Sequence, residues 1–149
     1  MADTRAQKQA ELWVVQNHLP KVFDGLAFEE RKVKLVWGGH FEFDAVSLDG
    51  TIVGLVSTSL PITSSKKQAI AKFQKLKADC LYLMHTETPC RKFMAFTEAS
   101  MKDHFEKECI NGRFPSEIEL LHAPLPIELY ERVVEARAAA AKEVSPSAL

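Results

Sequence analysis

The sequence predicts an α/β fold, a three-layer sandwich in which helices cover a mixed central sheet of about five strands. Two observations carry this prediction. A helical pattern is followed by three strand-like segments in succession, and helical and strand-like segments then alternate up to a last helix. Such an order requires antiparallel and parallel pairing within one sheet. The 149 residues are expected to form a single domain over 1–143, with a frayed tail at 144–149.

The first helix is predicted from Arg5 to about Leu19. Its apolar residues recur at intervals of three to four, as they do on the buried face of a helix: Ala6, Ala10, Trp13 and Val14. Pro20 is expected to end the helix, because proline has no amide hydrogen to donate inside one. Glu11 lies on this helix, beside the apolar stripe.

The predicted meander begins after a turn between Asp24 and Glu30. Residues Lys32–Trp37 alternate charged and apolar side chains at the period of a half-buried strand, and Gly38-Gly39 ends that run. The second strand, His40–Ser47, also alternates, so its side chains are expected to divide between two faces. One face would carry Phe41, Phe43, Ala45 and Ser47, and the other would carry His40, Glu42, Asp44 and Val46.

The second and third strands are predicted to form a hairpin. Asp49-Gly50 joins them, and both residues tolerate the positive φ that two-residue hairpin turns require. The third strand is Thr51–Thr58. The next helix would be capped by one of the hydroxyl residues at Thr63–Ser65 and would continue to about Thr86, unless it breaks near Ala78-Asp79.

Four further elements complete the predicted fold. They are a strand at Arg91–Thr97, a helix at Glu98–Cys109 that Asn111-Gly112 ends, a strand at Glu117–His122, and a helix from Pro126 to about Lys142.

Composition sets limits on location and partners. The formal net charge is −1, so no global field favours or excludes a polyanionic partner. Three cysteines, Cys80, Cys90 and Cys109, cannot all pair within one chain, and the first residues do not resemble a signal peptide. A reducing, cytoplasmic location is therefore expected. No apolar run approaches the roughly 18 to 20 residues that span a bilayer, so no membrane partner is expected.

One resemblance gives these elements a functional meaning. The order helix, three-stranded meander, helix and strand covers about Arg5 to Thr97, with Asp44 before the turn and Val53–Ser59 after it. It resembles the core of the PD-(D/E)XK, or restriction endonuclease-like, nuclease superfamily. The resemblance implies a DNA phosphodiesterase that uses Mg²⁺, held by an aspartate on the second strand and often by a glutamate on the first helix. Asp44 and Glu11 match those two positions.

The chain departs from that family on the third strand. Leu55 stands where the D/E-x-K motif has its acid, and Ser57 stands where it has its lysine. Leucine binds no metal, and serine has neither the charge nor the length of lysine. A migrated site would take Glu42 for the missing acid and Lys66 or Lys67 for the missing lysine, with Asp44 as the central catalytic residue. Otherwise, the chain is an inactive relative that needs no cofactor.

Two further alternatives remain open at this point. Asp44 would also be satisfied by backbone amides or by an arginine such as Arg31, and for Glu11 a solvent-facing helix carboxylate is the commoner role. The five lysines between Lys66 and Lys77 would form a basic helix face that contacts DNA phosphates, although solvated lysines are commoner on such helices. The competing function is a noncatalytic binding or assembly module for nucleic acid or protein, with a homodimer as one of its forms.

Overall fold

The computed structural model describes residues 4–63 and 65–144. Its elements are, in chain order, α1 (Arg5–Trp13), a π-helical turn (Val14–His18), α2 (Leu19–Val22), β1 (Phe28–Lys34), β2 (His40–Ser47), β3 (Ile52–Ser57), α3 (Ile70–Leu83), β4 (Arg91–Phe96), α4 (Ala99–Ile110), β5 (Ile118–His122) and α5 (Ile127–Val144). The predicted order of helices and strands is confirmed. Among the described residues, no helix is both long enough and apolar enough to cross a lipid bilayer.

The five strands form one mixed sheet in the order β1-β2-β3-β4-β5. β1, β2 and β3 are antiparallel neighbours, and β3, β4 and β5 are parallel neighbours. The change from antiparallel to parallel pairing occurs at β3, because α3 carries the chain back across the sheet before β4 begins. The predicted α/β class, with a mixed sheet between helices, is therefore confirmed.

Helices pack on both faces of the sheet. On one face, α3 and α4 bury apolar residues against alternate residues of the central strands, including Phe73, Leu76, Leu83, Met101 and Phe105. On the other face, the amino-terminal helical region does the same with Val14, Val15, Leu19 and Phe23. Leu129 and Val133 of α5 contact Ala10 of α1, so α5 is attached to that second helical layer.

The amino-terminal helical region continues through Pro20, so the predicted helix end at that proline is wrong. The π-helical turn, Val14–His18, precedes the proline, and the amide of Leu19 donates to the carbonyl of Val14. In this wider turn, the hydrogen bonds of the backbone are displaced by one residue, so the amide that proline lacks is not required to continue the helix. Pro20 lies in the first turn of α2, where it is tolerated.

The first strand is displaced from its predicted position. β1 begins at Phe28, inside the segment predicted as a turn, and its first residue pairs with Ser47 of β2. It ends at Lys34, because Leu35 begins a turn in which its amide and carbonyl bond to Gly39 and Gly38. The buried Phe28 side chain packs against Phe23 and anchors the start of the strand.

Helix α3 begins at Ile70, later than predicted, and ends at Leu83, before Thr86. The chain before it forms a small loop closed by a bridge between Ile62 and Gln68. Lys66 and Lys67 therefore lie in a loop rather than in the first turn of a helix. Of the predicted capping residues, Ser64 lies outside the described residues. α5 continues through Val144, and the rest of the predicted tail, residues 145–149, lies outside the described part of the chain.

Candidate functional site

The site begins with an irregularity in β2. The register between β1 and β2 shifts between Glu29 and Arg31, as at a β-bulge. Phe43 and Val46 consequently both pack on the α3 side of the sheet, whereas Ala45 packs on the α1 side. The predicted division of β2 into two strictly alternating faces is therefore wrong beyond Phe43, because the extra residue changes which face each following side chain meets.

Asp44 lies where β2 and β3 separate. The two strands pair at Ala45–Gly54 and Val46–Val53. Beyond these pairs, the half-buried carboxylate of Asp44 accepts a hydrogen bond from the amide of Val56 at 2.8 Å. A side chain of β2 thus replaces its backbone as the partner of β3. Burial raises the pKa of Asp44, and the hydrogen bond from Val56 offsets only part of that effect.

Glu11 of α1 faces the same opening. Burial raises the pKa of Glu11 to about 7, and the negative charge of Asp44 adds to the shift. The positive charge of Lys75, on α3, lowers the pKa values of both acids, and Lys75 also pairs with Asp79 at 3.3 Å. Charged side chains from helices on opposite faces of the sheet therefore act together at the open end of the hairpin.

Two glutamates of the antiparallel strands extend this group. A hydrogen bond between the carboxyl groups of Glu30 and Glu42 raises the pKa of Glu30, and burial and the charges of Glu42 and Asp44 raise it further. We call Glu11, Glu30, Glu42 and Asp44 the acidic cluster.

Leu55 and Ser57, the two residues that depart from the motif of the nuclease family, are both buried and contribute to the fold. Leu55 is 4% exposed and packs in the core beneath α3. Ser57 is buried at the end of β3, where its hydroxyl accepts a hydrogen bond from the amide of Ser59 at 3.3 Å. Within residues 4–63 and 65–144, no group of three or more His, Cys, Asp or Glu side chains is arranged to hold a metal ion.

The lysines do not form one continuous face. Lys66 and Lys67 are exposed in the loop before α3, and Lys66 adopts a positive φ of 65°. Lys75 pairs with Asp79 at 3.3 Å, whereas Lys77 pairs with Glu108 of α4 at 2.9 Å. The predicted basic helix face is therefore divided between a loop and two separate ion pairs.

The charge of Asp44 acts on Glu11 and the charge of Glu42 acts on Asp44, while Lys75, rather than a lysine of the loop, is among the charges that act on Asp44. No signal in the sequence identifies Lys75, because its proximity to Asp44 depends on the path of α3 across the sheet. No family model, no curated protein and no solved structure matches this chain.

Proposed function

We propose that this protein is a restriction endonuclease-like domain that binds a partner and does not cleave DNA. The observation that carries the proposal is the hydrogen bond from the Val56 amide to Asp44. This bond gives the family's metal-binding aspartate a structural role, because it joins β2 to β3 at the point where their backbones separate. An unbonded amide on the buried Val56 would cost about 1–3 kcal/mol.

Two further features support a noncatalytic role. Leu55 occupies the position of the second acid and contributes to the hydrophobic core instead. The acidic cluster also favours protonation, since the pKa of Glu11 is raised to about 7 and the neighbouring Glu42 carboxyl raises the pKa of Glu30. A proton on Glu11 reduces the repulsion among carboxylates that a divalent cation would otherwise reduce.

A metal-dependent DNA nuclease is the second candidate, and one specific observation favours it. The negative charge of Asp44 raises the pKa of Glu11, as the charge of one carboxylate does for another when both lie near the same cation site. In this alternative, Asp44 and Glu11 would hold Mg²⁺, whose chemistry is to activate water and stabilise charge on the phosphodiester. Lys66, Lys67 or Lys75 would stabilise that charge further.

Nuclease assays distinguish the two candidates. Plasmid, linear duplex and single-stranded DNA are incubated with the protein in Mg²⁺ or Mn²⁺, beside Asp44→Asn. We expect the native protein to cleave no more DNA than Asp44→Asn does. Cleavage that disappears in Asp44→Asn would overturn the noncatalytic assignment, because the variant keeps an oxygen that can accept the Val56 hydrogen bond.

We propose DNA as the partner, bound through the exposed loop that carries Lys66 and Lys67. Neither lysine makes an ion pair within the described part of the chain, so both ammonium groups are available to phosphates. Retention of duplex DNA should weaken with salt and should fall in the variant Lys66→Ala/Lys67→Ala. The matched control is Lys21→Ala/Lys107→Ala, which removes two exposed lysines elsewhere. Equal retention by all three proteins would contradict this assignment.

A further inference from the structure

Helix α5 has a second apolar stripe on its outer face. Its inner face already packs on α1, through Leu129 and Val133. A helix on the surface of a domain normally buries one such face and exposes a polar one. On α5, Ile127 is 68% exposed, Tyr130 is 38% exposed and Val134 is 42% exposed. Three large apolar side chains are therefore left in solvent on one side of the same helix.

The spacing of this outer stripe is that of a helix-pairing seam. Ile127, Tyr130 and Val134 are separated by three and four residues, and the same spacing continues through Ala138 and Ala141. The stripe therefore runs along four turns of α5. Its large residues occupy the first half of the helix, and its alanines occupy the second half.

This asymmetry favours a second copy of the chain, paired in the opposite direction, as the partner. Ile127 and Ala141 lie equally far from Val134 along the helix, and so do Tyr130 and Ala138. When two α5 helices cross antiparallel at Val134, each large side chain therefore meets an alanine, and the two Val134 side chains meet each other. A two-fold axis requires that a patch is complementary to itself in this way.

The charges along α5 favour the same orientation. Glu128, Glu131 and Glu135 are exposed in its first half, and Lys142 is exposed in its second half. None of these four side chains makes an ion pair within the described residues. Antiparallel pairing around Val134 places Glu128 of one helix opposite position 140 of the other, two residues from Lys142, and it also opposes the two helix dipoles.

The arginines of α5 are already engaged within the chain. Arg132 donates to Gln9 at 3.1 Å, and Arg137 pairs with Glu98 at 3.0 Å while also donating to the carbonyl of Thr58. These bonds hold α5 on the domain and fix the direction in which the outer stripe faces. The stripe is thus presented as a rigid surface.

We propose that the protein forms a homodimer through antiparallel pairing of α5 around Val134. The inference is independent of the function proposed above, since it uses no residue of the acidic cluster or of the lysine loop. It assigns an oligomeric interface to the outer apolar stripe of α5, with a second copy of the same chain as its occupant.

The mass of the full chain in solution tests the dimer. We expect twice the chain mass of 16.7 kDa for the native protein, measured by light scattering or sedimentation over a wide range of concentration. Val134→Glu should restore the mass of a single chain. Val22→Glu is the matched control, because Val22 is 41% exposed on α2, and it should remain dimeric. A monomeric native protein, or a dimer that Val134→Glu leaves intact, would overturn the proposal.

Cross-linking tests the orientation. With a short thiol-specific cross-linker, the Val134→Cys variant should form more cross-linked dimer than the native protein, because the two introduced cysteines face each other. Ile127→Cys alone should not, because antiparallel pairing places the two positions about 21 Å apart, at 1.5 Å per residue over 14 residues. A mixture of Ile127→Cys and Ala141→Cys should cross-link. Efficient cross-linking of Ile127→Cys to itself would indicate parallel pairing and would contradict the model of the interface.

Discussion

The β2–β3 hairpin carries one aspartate at each end, and the two have opposite surroundings. At the closed end, Asp49 Oδ1 accepts hydrogen bonds from the Ser47 hydroxyl at 2.7 Å, the Thr51 hydroxyl at 2.7 Å and the Thr51 amide at 3.0 Å. These bonds lower the pKa of Asp49 to about 2. At the open end, Asp44 accepts one amide, lies among other acids, and has a raised pKa because of burial.

The difference shows that residue type alone does not identify a metal ligand. Asp49 is a charged residue that organises a turn, with Gly50 at a φ of 75° beside it. Asp44 is the residue for which the sequence resemblance implies a metal-binding role, yet its hydrogen bond joins β2 to β3 where their backbones separate. Burial, neighbouring charges and donors decide the role of each carboxylate. The following substitutions test that distinction, beginning with the one whose effect should be largest.

Leu55→Glu should cost the most stability. The substitution restores an acid at the motif position, but it places a charge in the core beneath α3, where Leu55 is 4% exposed. We expect a loss of about 3–5 kcal/mol at pH 8, as for an uncompensated buried charge, measured by urea unfolding. Leu55→Met, which conserves volume, is the control and should lose less than about 1.5 kcal/mol. A stable Leu55→Glu variant that binds Mn²⁺ would show that the position is part of an accessible metal site.

The two substitutions Asp44→Ala and Asp44→Asn should have different effects. Alanine leaves the amide of Val56 without its acceptor, so we expect a loss of about 1–3 kcal/mol and faster hydrogen exchange of that amide. Asparagine retains an acceptor oxygen and removes a buried charge, so its stability at pH 8 should equal or exceed that of the native protein. Equal losses in the two variants would mean that the charge of Asp44, rather than its hydrogen bond, stabilises the hairpin.

Glu11→Gln should stabilise the protein at alkaline pH. The pKa of Glu11 is raised from 4.5 to about 7 in the folded chain, so folding favours its protonated form. The native protein should therefore lose stability as the pH rises from about 4.5 to about 7, and the variant should not. After an allowance for partial exposure, we expect a gain of about 1–2 kcal/mol at pH 8. Exposed Glu117→Gln is the control, and an equal gain there would contradict the account.

Asp49→Ala should have the smallest effect of the four, a modest loss of thermal stability at neutral pH. The folded-state pKa of Asp49 is lowered from 3.8 to about 2, so its contribution is present above pH 3.8 and is lost as the pH falls through 2. The difference in Tm between native protein and variant should accordingly shrink on acidification. A difference in Tm that grows on acidification would show that folding does not lower the pKa of Asp49, and it would contradict the stabilising role of this carboxylate.

Much of the fold follows from local sequence patterns. The strand His40–Ser47 and a turn near Asp49-Gly50 were predictable, because alternation and turn chemistry are properties of neighbouring residues. The predicted two-residue turn type is wrong, since Gly50 adopts a positive φ but Asp49 does not, and the amide of Gly50 donates to the carbonyl of Ser47. The helix end at Asn111-Gly112 was also predictable from neighbouring residues. Gly112 has a φ of 72°, and the backbone amide of Arg113 donates to the backbone carbonyl of Glu108. The absence of an acid at Leu55 was also visible in the sequence.

The other features of the fold and of the candidate site depend on tertiary structure. The bulge of β2 was not predictable, because its alternation from Phe41 to Ser47 is uninterrupted in the sequence and only the register with β1 reveals the extra residue. The partner of Asp44 was one of two open alternatives, an amide or Arg31. Val56 supplies the amide, whereas Arg31 pairs with Glu29 at 2.8 Å. That choice is set by how far β2 and β3 separate, which no local pattern encodes.

The central claim is that Asp44 joins two strands and holds no metal ion. Titration of Mn²⁺ into the native protein and into Asp44→Asn, followed by electron paramagnetic resonance of the free ion, tests it most directly. The account predicts the same weak, unsaturated binding in both proteins. A saturable site with one Mn²⁺ per chain in the native protein, absent from a folded Asp44→Asn variant, would contradict it.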